Sequence, residues 1–336
     1  MNSKPLISAI ILAMFVCSNL LAQEIKIPRD TSFNTKSTAE KILKDYPFAI
    51  VVEAIVTNNV KAEYGVVYTT RGKRKLHLDI VSPKIKGRDK FPFVMVLHGG
   101  GWRSGNKEME LPTAVHLANN GYAAASVEYR LSGEAKYPAA IYDLKEALRW
   151  IKKNAEKHNI DTNKIAVSGV SAGGTLAAFL GATGNLKKFE GDGFCKEYST
   201  HVHAIVNIDG IVDFTHPAES GKDTDPAKPS AGKAWFGAAY KENPQIWEVA
   251  SPIKYVSEKT PPIIFINSSQ ERFRAGRNEM IDKMNKYNTY SEVHSIANTP
   301  HPFWLFQPWF DETMKYMVSF LNKVLDVKKE LNLTKP

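Results

Sequence analysis

A serine between two glycines, a run of three glycines and a histidine in a proline-rich loop are the residues of this chain whose types and spacing could do chemistry together. The serine is Ser171, in Lys164-Ile165-Ala166-Val167-Ser168-Gly169-Val170-Ser171-Ala172-Gly173-Gly174. This stretch reads as a short buried strand running into a helix through a small-residue turn, with Ser171 at the bend. A nucleophilic serine must project from the sheet edge on a tight, strained bend, and only residues without bulk at the flanking positions let the neighbouring backbones pass that closely. Gly169 and Gly173 meet that need. The same bend leaves the Ala172 N–H at a helix N-terminus, where free donors and the helix dipole favour negative charge, so an oxyanion could bind there. Any small-residue turn after a strand can also produce Gly-x-Ser-x-Gly, so other residues have to agree with it.

Two further motifs do. His98-Gly99-Gly100-Gly101-Trp102 follows an apolar run that ends at Leu97. Three glycines directly after a buried strand suit no regular element, which points to close backbone approach or unusual dihedrals. Such a loop can aim N–H groups at a substrate oxygen, and Gly100 and Gly101 are expected to complete an oxyanion hole with Ala172. A phosphate-binding loop is disfavoured, because Trp102 follows instead of Gly-Lys-Ser/Thr. A serine hydroxyl needs a base. Among nine histidines, His301 is the candidate, in Asn298-Thr299-Pro300-His301-Pro302-Phe303-Trp304, after the last predicted strand. His294, His201 and His203 lie in or beside strands and read as structural, and His98 reads as orienting the glycine loop. The acid that holds the imidazole in its tautomer is expected at Glu271, in Ser268-Ser269-Gln270-Glu271-Arg272 after the strand at 262–267. Glu279, Asp209 and Asp213 compete with it, and a surface salt bridge is the bland reading of all four.

The elements that must position these groups follow from the periodicity. From Phe91 onward, apolar strands at about 91–98, 122–129, 164–170, 203–209, 262–267 and 290–296 alternate with helices at about 109–119, 138–157, 172–183, 275–287 and 309–326. That rhythm builds a mostly parallel central sheet flanked by helices. Before it, Val66–Thr70 and Lys75–Val81 read as a hairpin around Arg71-Gly72-Lys73-Arg74. Residues 23–60 form an N-terminal extension with a short helix at Ser37-Thr38-Ala39-Glu40, where Ser37 and Glu40 have capping-box spacing. Residues 214–260 break the rhythm as an insertion carrying Trp235, Phe236, Tyr240 and Trp247, aromatics that either pack it down or line a pocket. The catalytic domain is drawn at 61–328, with a tail at 329–336.

His98-Gly-Gly-Gly-Trp102, Gly169-Val-Ser-Ala-Gly173 and His301-Pro-Phe-Trp304, in that order, resemble the α/β-hydrolase superfamily. Within it, they are similar to the exported esterase/lipase-like group that includes bacterial polysaccharide deacetylases. The resemblance spans about residues 60–326 and implies the α/β-hydrolase fold and a serine esterase working through an acyl-enzyme. It also implies an acid, commonly aspartate, in a loop after the penultimate strand. Here Ile266-Asn267-Ser268-Ser269 replaces the usual His-Gly turn and glutamate holds the nearest position. This chemistry requires no metal and no organic cofactor.

Composition bounds the rest. The 336 residues are 43% hydrophobic and 24% charged, an ordinary globular balance with length for one large domain. Residues 1–22 read as a secretory signal peptide: Lys4, then an almost wholly apolar stretch from Pro5 to Leu21, then Ala22. An anchor is the competing reading, and Cys17 follows Val16 where a lipoprotein signal wants a small residue. The product is expected outside the cytoplasm, periplasmic or extracellular, with no stable membrane insertion after cleavage. Cys195 is then its one cysteine, so no internal disulfide can form. The net charge of +9 clusters partly at Arg71, Lys73, Arg74 and Lys75 and at Lys328 and Lys329. A solvated face is the plain reading; as a polyanion site it suits acidic polysaccharide better than nucleic acid. Trp102, Trp304 and Trp235 are the candidate faces for sugar rings. The expected substrate is an acetyl ester on xylan or pectin. Competing functions are a small-ester carboxylesterase, a feruloyl esterase, an exported peptidase and a silent glycan-binding protein.

Overall fold

The computed structural model describes residues 30–85, 90–184, 186–222 and 227–327. The proposed signal segment, residues 23–29 of the extension, Lys328 and the tail from 329 lie outside the described residues. In chain order the elements are α1 (Thr35–Asp45), β1 (Ile50–Val51), β2 (Val60–Arg71), β3 (Arg74–Pro83), β4 (Phe91–Leu97), α2 (Leu111–Asn119), β5 (Ala123–Val127), α3 (Ala139–Lys153), β6 (Ile160–Val170) and α4 (Ala172–Ala182). They continue with β7 (Ala204–Ile208), α5 (Pro217–Ser220), α6 (Ala231–Phe236), α7 (Pro244–Ala250), β8 (Ile263–Asn267), α8 (Arg277–Asn285), β9 (Ser291–Ser295), β10 (Phe306–Gln307) and α9 (Trp309–Val324).

Eight strands form the central sheet in the order β2-β3-β5-β4-β6-β7-β8-β9. The β2–β3 hairpin joins antiparallel at one edge, and the strands from β5 to β9 run parallel. The inner strands are mostly apolar because both faces of the sheet are covered. Alternate residues go to opposite cores. Phe93, Met95, Val167, Ile205 and Phe265 pack under α3 and α4. Val94, Val96, Ala166, Val206 and Ile264 pack under α2 and α9. Among the described residues no helix is long and apolar enough to cross a membrane.

Two expectations change in detail. Helix α1 starts earlier than its predicted cap: Asn34 is the N-cap and accepts from the Ser37 N–H at 2.9 Å. Ser37 is the reciprocal third residue of that capping box, its hydroxyl accepting from the Asn34 N–H at 3.1 Å. The extension does not stand apart, because β1 pairs with β10 just beyond the His301 loop. The insertion carries α5, α6 and α7, and its Trp235, Phe236 and Trp247 are buried in the α3/α4 core.

Candidate active site

The groups that could do chemistry all sit where parallel strands end, the edge at which loops of an open α/β sheet converge. His98 follows β4, Ser171 follows β6, Asp209 follows β7, and His301 lies in the loop after β9. Since β6 lies between β4 and β7, the glycine loop, the serine and Asp209 are lateral neighbours.

Ser171 has φ 53° and ψ −121°, a backbone conformation costly for a non-glycine residue, on the order of 1–3 kcal/mol. Its N–H donates to Ile208 O at 2.7 Å, tying the bend to β7. The flanking glycines are sterically required. A Cβ at Gly169 would fall within 3.0 Å of Gly173 O, and one at Gly173 within 3.0 Å of Leu97 O. Ala172 opens α4, so its N–H has no partner within the helix.

His301 Nε2 is 2.8 Å from Ser171 Oγ, and His301 Nδ1 is 2.9 Å from Asp209 Oδ2. Asp209 is fully buried. Its other oxygen, Oδ1, accepts from the Ser268 N–H at 2.8 Å and from Asn267 Nδ2 at 3.3 Å. The Phe273 ring stacks on the imidazole, with centroids 3.4 Å apart and planes 5° apart, and Trp304 meets it edge-on at 5.1 Å. Burial pushes the His301 pKa below its usual value, while the hydrogen bond to Asp209 pulls the other way. The outcome is a neutral imidazole held in one tautomer: Nδ1–H donates to the carboxylate, leaving Nε2 to accept the serine proton.

The expected acid, Glu271, is corrected to Asp209. Glu271 is exposed at the start of a 3-10 turn, Glu271–Arg274, beyond β8. That strand is one place further from β6 than β7 is, and the Nδ1 position is already held by Asp209. Glu279 is exposed on α8. The Asp213 carboxylate is turned to the Thr215 N–H and hydroxyl, at 2.8 and 2.7 Å. A signal for Asp209 existed in the sequence: it follows a mostly apolar, fully buried strand as Asp209-Gly210, and Gly210 packs so tightly on α4 that a Cβ there would come within 3.0 Å of Thr175 N. The residues replacing the familiar turn, Asn267 and Ser268, are those that hold Asp209.

A cavity of about 40 Å³ opens at Ser171, lined among others by Gly101, Trp102, Ala172, Thr175, Glu219 and Arg272. Gly101 and Ala172 are thus brought to the serine. Gly100, at φ 114°, is the hinge of the loop: its carbonyl accepts from the Arg103 and Ser104 N–H groups at 3.2 and 3.0 Å. His98 is buried, its Nδ1 2.7 Å from Gly99 O and its ring stacked on Tyr129 at 4.4 Å, and the Tyr129 hydroxyl donates to His98 O at 2.8 Å. Of the three tryptophans expected to meet substrate, Trp102 lines the cavity and the other two do not. Trp235 is buried behind it, the two rings stacked at 4.7 Å and 5°. Trp304 is buried in the α2/α9 core behind His301. Both are anchors, because their faces are taken up by neighbouring rings. The mouth carries a charged pair that sequence reasoning missed: buried Glu219 of the insertion accepts from Arg272 Nε at 2.8 Å, and the Arg272 guanidinium lies over Phe273 at 4.7 Å.

Comparison with known proteins agrees with this architecture. The probable carboxylic ester hydrolase LipM of Mycobacterium tuberculosis is 30% identical over 200 residues, 59% of this chain and 46% of that protein. The chain spans about half the length of the first curated relatives it matches. A truncated form of a carbohydrate esterase from gut microbiota superposes with a TM-score of 0.70 at 23% identity, covering 82% of this chain and 100% of that one. The bifunctional GH43-CE protein of Bacteroides eggerthii does so with a TM-score of 0.68 at 27% identity, covering 78% of this chain and 38% of that one. The mostly parallel sheet with its flanking helices is the α/β-hydrolase fold. A family model described as BD-FAE matches residues 78–273, more than half of the sequence, and the chain belongs to that family.

Proposed function

We propose that this protein is a serine ester hydrolase that removes acetyl groups from a plant-type polysaccharide. The observation that carries the reading is the continuous hydrogen-bonded line from Ser171 Oγ through His301 to buried Asp209. His301 takes the serine proton as Oγ attacks the ester carbonyl, and Asp209 stabilises the imidazolium that forms. N–H groups of Gly101 and Ala172 receive the oxyanion, with Gly100 shaping the loop. The alcohol leaves with the proton from His301; water then enters by the same route and releases the acid. Each oxyanion donor is worth about 3 kcal/mol of transition-state stabilisation.

The small cavity at Ser171, walled by Gly101, Trp102, Ala172 and Thr175, favours a short acyl group over a long one. The carbohydrate part rests on the apolar leader at residues 5–21, which supports export to where such polymers lie. The likeness of fold to the gut-microbiota carbohydrate esterase supports the same reading. Acetate release from acetylated xylan and acetylated pectin, measured beside Ser171→Ala, tests the reading. Release from either polymer that vanishes in the variant is expected. Cleavage of a small aryl acetate alone would remove the polysaccharide and leave the esterase; no cleavage at all would favour a binding protein.

A further inference from the structure

His301 is held at its two nitrogens, by Asp209 at 2.9 Å and Ser171 at 2.8 Å. These bonds leave the imidazole plane least restrained about the line that joins them. What fixes the plane is a contact on the ring's face: the Phe273 ring lies parallel to it within 5°, with centroids 3.4 Å apart. Phe273 is buried in the short turn Glu271–Arg274 that follows β8. That turn has no side-chain cap hydrogen bond, so its own ends do little to hold it down on the histidine.

Arg272 and Glu219 supply the hold. The Arg272 guanidinium lies over Phe273, 4.7 Å from the ring centroid, where a cation is attracted to the aromatic face. With its side chain 44% exposed, Arg272 would sample many rotamers on its own, but its Nε donates to Glu219 Oε1 at 2.8 Å. Glu219 belongs to α5 of the insertion, its side chain only 6% exposed, and Lys222 Nζ donates to the same oxygen at 3.1 Å. A glutamate is almost never buried unless it is paired. The line Glu219, Arg272, Phe273, His301 therefore runs from the insertion to the histidine. The charges balance along it. Burial disfavours the protonated imidazole most, Asp209 at the end of β7 favours it, Arg272 opposes it and Glu219 favours it; Lys222 and His216 act on Glu219 from its own segment. Arg272 alone would oppose the imidazolium that forms in the reaction, and Glu219 offsets it.

Resting on the esterase reading above, we propose that Glu219 and Arg272 are positioning residues for His301: Glu219 aims the guanidinium, the guanidinium holds Phe273 flat on the imidazole, and the paired charges cover the ring without adding net charge beside it. The insertion thereby takes part in the chemistry through the histidine, with no contact to substrate required. A base held within about 10–20° of its productive orientation works, and one free to rock does not.

Two variants test it with 4-nitrophenyl acetate. Arg272→Ala removes both the cover on Phe273 and the positive charge. Its kcat should fall about tenfold, because a loosened ring misplaces Nε2, and the acid limb of kcat/KM should move to higher pH. Glu219→Gln keeps an oxygen for Arg272 Nε and removes only the negative charge. Its acid limb should move to lower pH, since the guanidinium then stands uncompensated. Loss of packing alone would move both limbs the same way or neither, and that result would overturn the proposal, as would a kcat for Arg272→Ala within about twofold of wild type. Wild-type hydrolysis that disappears in Ser171→Ala tests the esterase reading separately. Should that reading fail, an NMR titration of the His301 imidazole still decides: midpoints displaced in opposite directions by the two variants support the arrangement, and any other pattern rejects it.

Discussion

Asp209 rather than Glu271 meets His301, and the two carboxylates differ in what surrounds them. Asp209 is fully buried with Oδ1 held by the Ser268 N–H and Oδ2 free to accept from the imidazole; Glu271 is exposed. Asp209→Asn should therefore lower kcat by about 10⁴-fold, since an amide in that place favours the wrong histidine tautomer. Glu271→Gln should stay within about twofold of wild type. Steady-state hydrolysis of 4-nitrophenyl acetate measures both. The pH profile belongs to the same residue. The active form is neutral His301, and burial lowers its pKa below the usual 6.5. Hence kcat/KM should rise as pH increases through a value under 6.5 and then level off. Because Asp209 pulls that pKa upward, the residual activity of Asp209→Asn should show its acid limb at still lower pH, a shift that loss of packing alone would not produce.

The elements bring these residues together by ending at one edge of the sheet, and the loop after β4 depends on what lies beneath it. Glu110 sits buried at the N-cap position of α2 without bonding the helix N–H groups; the Thr113 hydroxyl donates to its Oε2 at 3.2 Å and Oε1 is unpartnered. Burial raises its pKa from 4.5 to about 8. The folded protein thus keeps it protonated in a range where the unfolded chain ionises it. The unfolded state binds fewer protons there, so stability falls as pH rises from 4.5 towards 8, by up to about 5 kcal/mol from this group. Below 4.5 the penalty is absent, and above about 8 it is complete. Glu110→Gln keeps the shape and the contact to Thr113 without the titration. Urea unfolding at pH 5 and pH 8.5 should show a steeper loss for wild type than for the variant, and equal losses would refute the assignment.

At the scale of the whole molecule, the basic cluster at the hairpin turn proves to be half internal. The Arg71 guanidinium reaches Asp143 at 3.2 Å and pairs with Glu146. Arg74 reaches Glu128 at 2.7 Å and Glu134 at 3.0 Å. Only Lys73 and Lys75 of the four are exposed, which weakens any case for a polyanion patch there. Asp143 of α3 is the shared node: fully buried, it also receives the Arg130 guanidinium at 2.8 Å and the Arg130 N–H at 3.1 Å. It joins the edge hairpin, the segment after β5 and a long helix. Asp143→Ala would leave the Arg130 guanidinium without its carboxylate and Arg71 with Glu146 alone, and a loss of about 3 kcal/mol in unfolding free energy is expected. A change under about 1 kcal/mol in urea titration would mean that the network is not structural.

Local chemistry made much of this legible in advance. Strands covered on both faces are largely apolar, so β4 to β8 stand out, and helices with one buried stripe stand out between them. The bend at Ser171 demands Gly169 and Gly173, which marks the serine, and the loop after the last parallel strand marks His301. What the periodicity could not carry was adjacency. The chain visits β7 and β8 in order, yet only long-range pairing puts β7 beside β6 and so sets Asp209, not Glu271, against the histidine. The same holds for the aromatics and the arginines. Composition places Trp235, Trp304, Arg71 and Arg74 near a site or on a surface, whereas packing decides which ring face is already covered and which charge is already paired. Periodicity and turn chemistry are written locally in the sequence; which side chains share a cavity is decided by contacts between distant segments, and so it appears only in the folded chain.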